Sequence, residues 1–175
     1  MKKIFSVLLF FISLNIYSQD IIGNWRYDYT SNDYSIFFSY GISFLNNGTF
    51  EYRYRFDVNR GYENIYKGNY EIINNQIYLQ VTYAWLIFYQ NNDFISNWFP
   101  LNEYFVYMRN VIYNNNLTLF PLSEEEKNEE FNKLLLLNNK KEVEYKINSN
   151  NLEFIYNGYF DYFISFNNSI IFTKY

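Results

Sequence analysis

Apolar and charged residues alternate along the segment from Thr49 to Asp57. Because successive side chains of a β-strand point to opposite faces, this alternation predicts a strand with one aromatic and one charged face. The aromatic face comprises Phe50, Tyr52, Tyr54 and Phe56, and the charged face comprises Glu51, Arg53, Arg55 and Asp57. Asn47-Gly48 precedes the strand and is a preferred turn pair, so residues 41–57 are predicted to form a β-hairpin.

The same period-two pattern recurs along much of the remaining chain. A strand at residues 66–73 and a turn at Asn74-Asn75 lead to a longer strand at 76–89, whose apolar parity includes Ile77, Leu79, Val81, Tyr83 and Trp85. A straight strand of that length would span ~46 Å, so it must bend, break or extend beyond the domain. Further strands are predicted at 104–112, 117–120, from 142 onwards, at 160–166 and at 169–175. Eight to ten strands joined by short turns favour an antiparallel up-and-down β-barrel, whose closure would remove free edges.

One segment has a helical pattern instead. Ser123 followed by Glu126 is a capping-box pair, and three glutamates in the first turn suit the positive end of a helix dipole. Phe131, Leu134 and Leu135 then form one apolar stripe. We therefore predict an amphipathic helix at 124–137, within a helical insertion covering about residues 121–140.

The N-terminus has the layout of a secretory signal peptide. A cationic start at Lys2-Lys3 precedes a mostly apolar run from Ile4 to Ile16, and Ser18 is a small residue suitable for cleavage. The run is shorter than the ~20 residues that a membrane-spanning helix needs. The sequence thus predicts a signal peptide at 1–18 and one domain at 19–175, exported to the periplasm, the cell surface or the medium of a bacterium.

Composition excludes several functional classes. The chain has no cysteine and no histidine, so disulfides, thiol nucleophiles, Ser-His-Asp triads and imidazole metal sites are excluded. Without Lys2 and Lys3, 12 of the 14 positive charges remain against 18 negative ones, a net −6, which disfavours nucleic-acid binding. The acidic residues are scattered or concentrated on the helix, and no phosphate loop or metal-ligand spacing occurs. We therefore expect a non-catalytic monomer without cofactor or metal.

Three short motifs carry a family resemblance. Gly23-Asn24-Trp25 opens the first strand, and the segments Ile42 to Phe50 and Gly68 to Ile72 follow in order. Together they resemble the lipocalin-like (calycin-type) domains of exported bacterial proteins. The resemblance implies an up-and-down barrel with an interior cavity for a small apolar ligand. It also implies that Trp25 closes one end of the barrel beneath a basic residue from a late strand, a position that Lys174 matches.

If the barrel holds a cavity, six aromatic residues on the predicted inward parity are its expected lining. They are Phe50, Tyr52, Tyr54, Phe56, Tyr83 and Trp85, the last two nearer the rim. In the reversed orientation, Arg53 and Arg55 would face inward and hold a ligand carboxylate. Trp98-Phe99-Pro100 is predicted to be a loop whose aromatics contact ligand or a membrane surface. Two other classes remain open: a β-sheet adhesion or interaction module, and a small integral outer-membrane barrel.

Overall fold

The computed structural model describes residues 21–30, 37–57, 62–90, 93–114, 122–155, 158–159, 165–166 and 169–175. The predicted signal peptide, the predicted strand at 117–120 and most of the one at 160–166 lie outside these ranges. The strands are β1 Gly23–Thr30, β2 Phe37–Phe44, β3 Thr49–Asp57, β4 Tyr62–Ile73, β5 Gln76–Gln90, β6 Asp93–Pro100, β7 Lys141–Asn148, β8 Asn151–Ile155, β9 Gly158–Tyr159, β10 Ser165–Phe166 and β11 Ser169–Lys174. The helices are α1 Leu101–Tyr113 and α2 Glu124–Leu135, and a 3-10 turn, Leu136–Asn138, follows α2.

Eight of the strands close into an antiparallel β-barrel. Their order around it is β4-β3-β2-β1-β11-β8-β7-β5, and pairing between β4 and β5 completes the ring. β6 extends the far half of β5 outside this ring, and β9 pairs with β10 separately. The predicted all-β barrel is therefore confirmed.

The predicted hairpins form at the predicted asparagine-rich turns. Asn74 and Asn75 both have positive φ, 50° and 62°, as a two-residue turn between β4 and β5 requires. At the β2–β3 turn only Gly48 has positive φ, 79°, and the loop is closed by the Leu45 N–H donating to the Thr49 carbonyl at 2.9 Å. The hairpin at 41–57 is confirmed, with a three-residue loop in place of the tightest turn.

The barrel interior is an aromatic and aliphatic core. Its buried residues come from both the barrel strands and the helices, which form one continuous cluster. The largest fully buried side chains of the strands include Trp25, Tyr52, Tyr66, Phe44, Phe154 and Phe172, and the helices contribute Ile112 and Leu134. α1 packs against β5, β6 and α2, so the helices cover the side of the barrel beside the long strand.

Two predicted elements between residues 98 and 112 are wrong. The segment 104–112, predicted as a strand, is the greater part of helix α1, and its buried residues Leu101, Tyr104, Met108 and Ile112 recur every three or four positions. That spacing is typical of one face of a helix. The strand prediction was based on the many aromatic residues of the segment, which are enriched in strands. Trp98-Phe99-Pro100 is the end of strand β6 and not a loop.

Helix α2 begins with the predicted capping box. The Glu126 N–H donates to the Ser123 Oγ at 3.2 Å, and the Ser123 N–H donates to the Glu126 Oε2 at 2.8 Å. The hydrogen bond with the Ser123 backbone is the main cause that lowers the pKa of the Glu126 carboxyl from its ordinary value, and the hydrogen bond with the Ser123 side chain adds to it. Because the folded-state pKa is the lower one, ionised Glu126 stabilises the fold above its ordinary, unfolded-state pKa.

The capping box predicts a pH-dependent loss of stability in acid. Glu126→Gln should lower the free energy of unfolding at pH 7, and the difference from wild type should shrink as pH falls through the folded-state pKa of Glu126. Urea unfolding between pH 7 and pH 3 measures it. Glu125→Gln, in the same helical turn but outside the capping box, is the control. If the difference in free energy of unfolding between wild type and Glu126→Gln stayed constant with pH, the capping-box carboxylate would not be the source of the effect.

Candidate functional site

Three of the four aromatic residues predicted on the inner face of β3 point into the barrel. Phe50, Tyr52 and Tyr54 are buried, whereas the side chain of Phe56 lies outside the described part of the structure. The Tyr52 ring stacks on the Tyr66 ring with centroids 6.3 Å apart, and the Tyr40 and Tyr54 rings lie 5.1 Å apart. These rings therefore pack directly on one another around the middle of the barrel.

Arg53 and Arg55 lie on the opposite, outer face of β3. Both are exposed, and Arg53 Nη1 lies 3.5 Å from Glu63 Oε1, an acid of the neighbouring strand. The reversed orientation, in which the arginines would fill the barrel, is therefore wrong. The inward set is aromatic and the outward set is charged, as the period-two pattern predicts.

Tyr83 and Trp85 do not lie where the alternation places them. The β4–β5 pairing shifts between Lys67, which faces Tyr83, and Gly68, which faces Val81, so Thr82 is an extra residue on β5. One added residue exchanges the two faces of every following position. Ala84 and Leu86 are consequently buried, while Tyr83 is 45% exposed. The prediction that Tyr83 and Trp85 point into the barrel is therefore wrong, because it did not include this bulge.

Trp85 belongs to an aromatic pair on the two-stranded extension. Its ring lies edge-to-face against the Trp98 ring of β6, with centroids 5.2 Å apart. Lys67 Nζ lies 3.9 Å from the centroid of the Trp98 ring. This cation–π contact secures the β5–β6 extension against β4.

Asn64 is an interior polar residue that the sequence reasoning missed. It lies directly across from Tyr54 in the β3–β4 register, so its side chain shares the inward face. Its amide nitrogen Nδ2 is buried and has no hydrogen-bond partner. The sequence pattern contained this information, because alternate residues of a strand share a face. The inward face of β4 that includes Tyr66 therefore also includes residue 64, which is an asparagine. A buried donor without an acceptor is costly, and is therefore a candidate contact for a ligand.

Trp25 of β1 packs inside the barrel. The indole is fully buried, and its Nε1–H donates to the Ile21 carbonyl at 2.7 Å. Lys174 faces Trp25 in the β1–β11 register, and its Nζ lies 5.1 Å from the centroid of the ring. The structure thus brings together the two residues that the family resemblance pairs.

Tyr70 adds a hydrogen bond at the β2–β3 turn. Its hydroxyl donates to the Leu45 carbonyl at 2.8 Å, which ties β4 to that turn. Burial raises the pKa of the Tyr70 hydroxyl, so it stays protonated as a donor.

Among the described residues, no group of three or more acidic side chains is placed to hold a metal ion. Within the same residues, neither helix has the length and apolar character to cross a membrane.

The chain matches no protein-family model and no curated protein. Among solved structures it is similar to an uncharacterized protein from Bacteroides eggerthii DSM 20697, with 15% identity and a TM-score of 0.37. The match covers 89% of this chain and 99% of that one.

Proposed function

We propose that this protein is an exported, non-catalytic, lipocalin-like binding protein that holds a small, mostly apolar molecule in the half of the barrel around Tyr54 and Asn64. The observation that carries the proposal is the buried, unpartnered Asn64 amide on the same inward face as the tyrosine rings. Tyrosine rings offer apolar contact area, and an interior amide offers one directed donor. Together they suit a ligand with an apolar body and one hydrogen-bond acceptor.

The energetic cost of the unpartnered Asn64 N–H group supports a ligand that carries a hydrogen-bond acceptor. A buried N–H donor without a partner costs about 1–3 kcal/mol, and a ligand acceptor would remove that cost on binding. The proposed binding region is the part of the barrel beside Asn64, which Tyr54 faces across the β3–β4 register.

The outward face supports a barrel surrounded by water. Charged residues occupy exposed outward positions on several barrel strands: Arg26, Arg53, Glu63, Glu144 and Lys146. A barrel embedded in lipid instead carries an apolar outward band, and an Arg or Lys at a mid-membrane position costs about 2–4 kcal/mol. This distribution, with the leader-like pattern at residues 1–18, favours an exported protein over an integral membrane barrel.

Extraction of the purified protein tests the proposal directly. Denaturation followed by organic-solvent extraction and mass spectrometry should recover one apolar compound in near-equimolar amount. That compound should bind again to protein freed of it, measured by titration calorimetry. Recovery of no stoichiometric compound would contradict the proposal and favour an interaction module with a filled barrel.

Asn64→Leu should separate ligand binding from stability. Leucine removes the unpartnered donor, so the free energy of unfolding should rise by about 1 kcal/mol while affinity for the extracted compound falls about tenfold. Asn69→Leu is the matched control, because Asn69 lies exposed on the same strand and faces outward. Equal affinity in wild type and Asn64→Leu would remove Asn64 from the site.

A further inference from the structure

Strand β6 lies at an edge of the sheet. Among the described residues β6 pairs with β5 alone, and the register is regular from Asp93, which faces Gln90, to Pro100, which faces Tyr83. The stretch of this edge around Asn97 is open to solvent, because Asn97 and the residue before it are both exposed. A regular, uncovered edge presents backbone N–H and C=O groups with which a strand of another chain can pair.

Two observations show which backbone N–H groups of β6 point to the free edge. In an antiparallel pair, residues alternate between those that bond to the partner strand and those whose N–H and C=O point away from it. Pro100 has no N–H, and proline in a sheet is tolerated where the N–H would face away from the neighbouring strand. The Trp98 N–H donates to the Oδ1 of Asn97 at 2.8 Å, an acceptor outside the β5–β6 ladder. Because Trp98 and Pro100 have the same parity, the outward set is Ser96, Trp98 and Pro100.

Two of these three outward positions have no donor to offer to an added strand. Pro100 lacks an N–H, and the Trp98 N–H is already bonded to the side chain of Asn97. An added antiparallel strand builds its ladder on outward N–H groups at alternate residues. The Asn97 side chain therefore takes the place that a partner strand would occupy at Trp98.

We propose that Asn97 closes the edge of β6 against strand addition by a second copy of this chain, and that Pro100 extends the block to the end of the strand. A second copy is the relevant occupant, because two identical edges can meet about a two-fold axis without any other partner. In a pairing centred on Trp98, each Trp98 N–H would donate to the Trp98 carbonyl of the other copy. The bond to Asn97 competes with both of these bonds. In the same pairing Pro100 would face Ser96 of the other copy and offer it no donor.

Self-association of an Asn97 variant tests the proposal. Asn97→Val removes the acceptor and adds a residue that favours strands. Sedimentation equilibrium should give a dimer association constant at least about tenfold above that of the wild type, which should remain monomeric. Asn69→Val is the matched control, because Asn69 is also exposed but its strand is paired on both sides, with Thr49 of β3 and Gln80 of β5. Unchanged association of Asn97→Val, or equal association of the two variants, would overturn the proposal.

A proline at position 96 shows whether the dimer forms through this edge. Because the Ser96 N–H points away from β5, Ser96→Pro removes an outward donor and leaves the β5–β6 ladder intact. Added to Asn97→Val, it should return the protein to the monomer, and thermal unfolding checks that the double variant is folded. A dimer that persists in the folded double variant, or a wild-type dimer that Ser96→Pro alone abolishes, would overturn the proposal.

Hydrogen exchange gives a second readout that needs no proline. In Asn97→Val, the Ser96 amide should exchange more slowly at concentrations where the dimer forms than at concentrations where the variant is monomeric, because the added strand would accept its hydrogen bond. The Asn69→Val control should show the same Ser96 exchange rate at both concentrations. An exchange rate of Ser96 in Asn97→Val that does not depend on dimer formation would overturn the proposal.

Discussion

Gly68→Ala is expected to destabilise the protein by about 3 kcal/mol or more. A Cβ on Gly68 would lie 1.9 Å from the carbonyl oxygen of Gln80, 2.7 Å from its carbonyl carbon and 2.8 Å from Phe50 Cε1. Two of these atoms are backbone of the paired strand, and they can move only if the β4–β5 ladder moves. Urea unfolding followed by fluorescence measures the loss.

Gly41→Ala is the matched control for Gly68→Ala. Gly41 also lies within a strand of the same sheet, but its added Cβ meets only Arg53 Cβ at 3.9 Å. Alanine at this position should leave stability unchanged or raise it by about 0.5–1 kcal/mol. Similar losses in both variants would mean that close approach at the bulge is not the cause.

Trp25→Ala is expected to cost about 3–5 kcal/mol of unfolding free energy. The indole is fully buried in the core, so its removal leaves a cavity and also leaves the Ile21 carbonyl without its donor. Trp25→Phe keeps most of the ring volume and loses the hydrogen bond, and should cost less. Thermal and urea unfolding of the two variants, compared with wild type, measure these differences.

A double-mutant cycle isolates the contribution of the contact between Lys174 and Trp25. Lys174→Met keeps most of the side-chain stem and removes the charge that lies 5.1 Å from the Trp25 ring centroid. The expected loss is about 0.5–1 kcal/mol in the wild-type background and near zero in Trp25→Ala. An equal loss in both backgrounds would assign the effect of Lys174 to something other than the indole.

Part of the candidate site follows from local pattern alone. The inward position of Tyr52 and Tyr54 and the outward position of Arg53 follow from the alternation of β3, which runs without a bulge through its paired residues. Asn64 could have been found by extending the parity of β4 one step beyond Tyr66. The outward row of Arg26, Gly41 and Arg53 could not be predicted, because these residues lie on three separate strands and only the lateral register brings them side by side.

The sequence by itself determined the kind of most elements, because strand alternation, asparagine-rich turns and the Ser123–Glu126 capping box act over a few neighbouring residues. Only the tertiary structure decided the faces of Tyr83 and Trp85, because a bulge depends on how two strands meet across a sheet. It also decided that residues 104–112 form a helix, since burial against β5, β6 and α2 selects the helical face of a segment whose composition suits a strand. Non-local contacts outweigh weak local preference wherever both conformations are accessible.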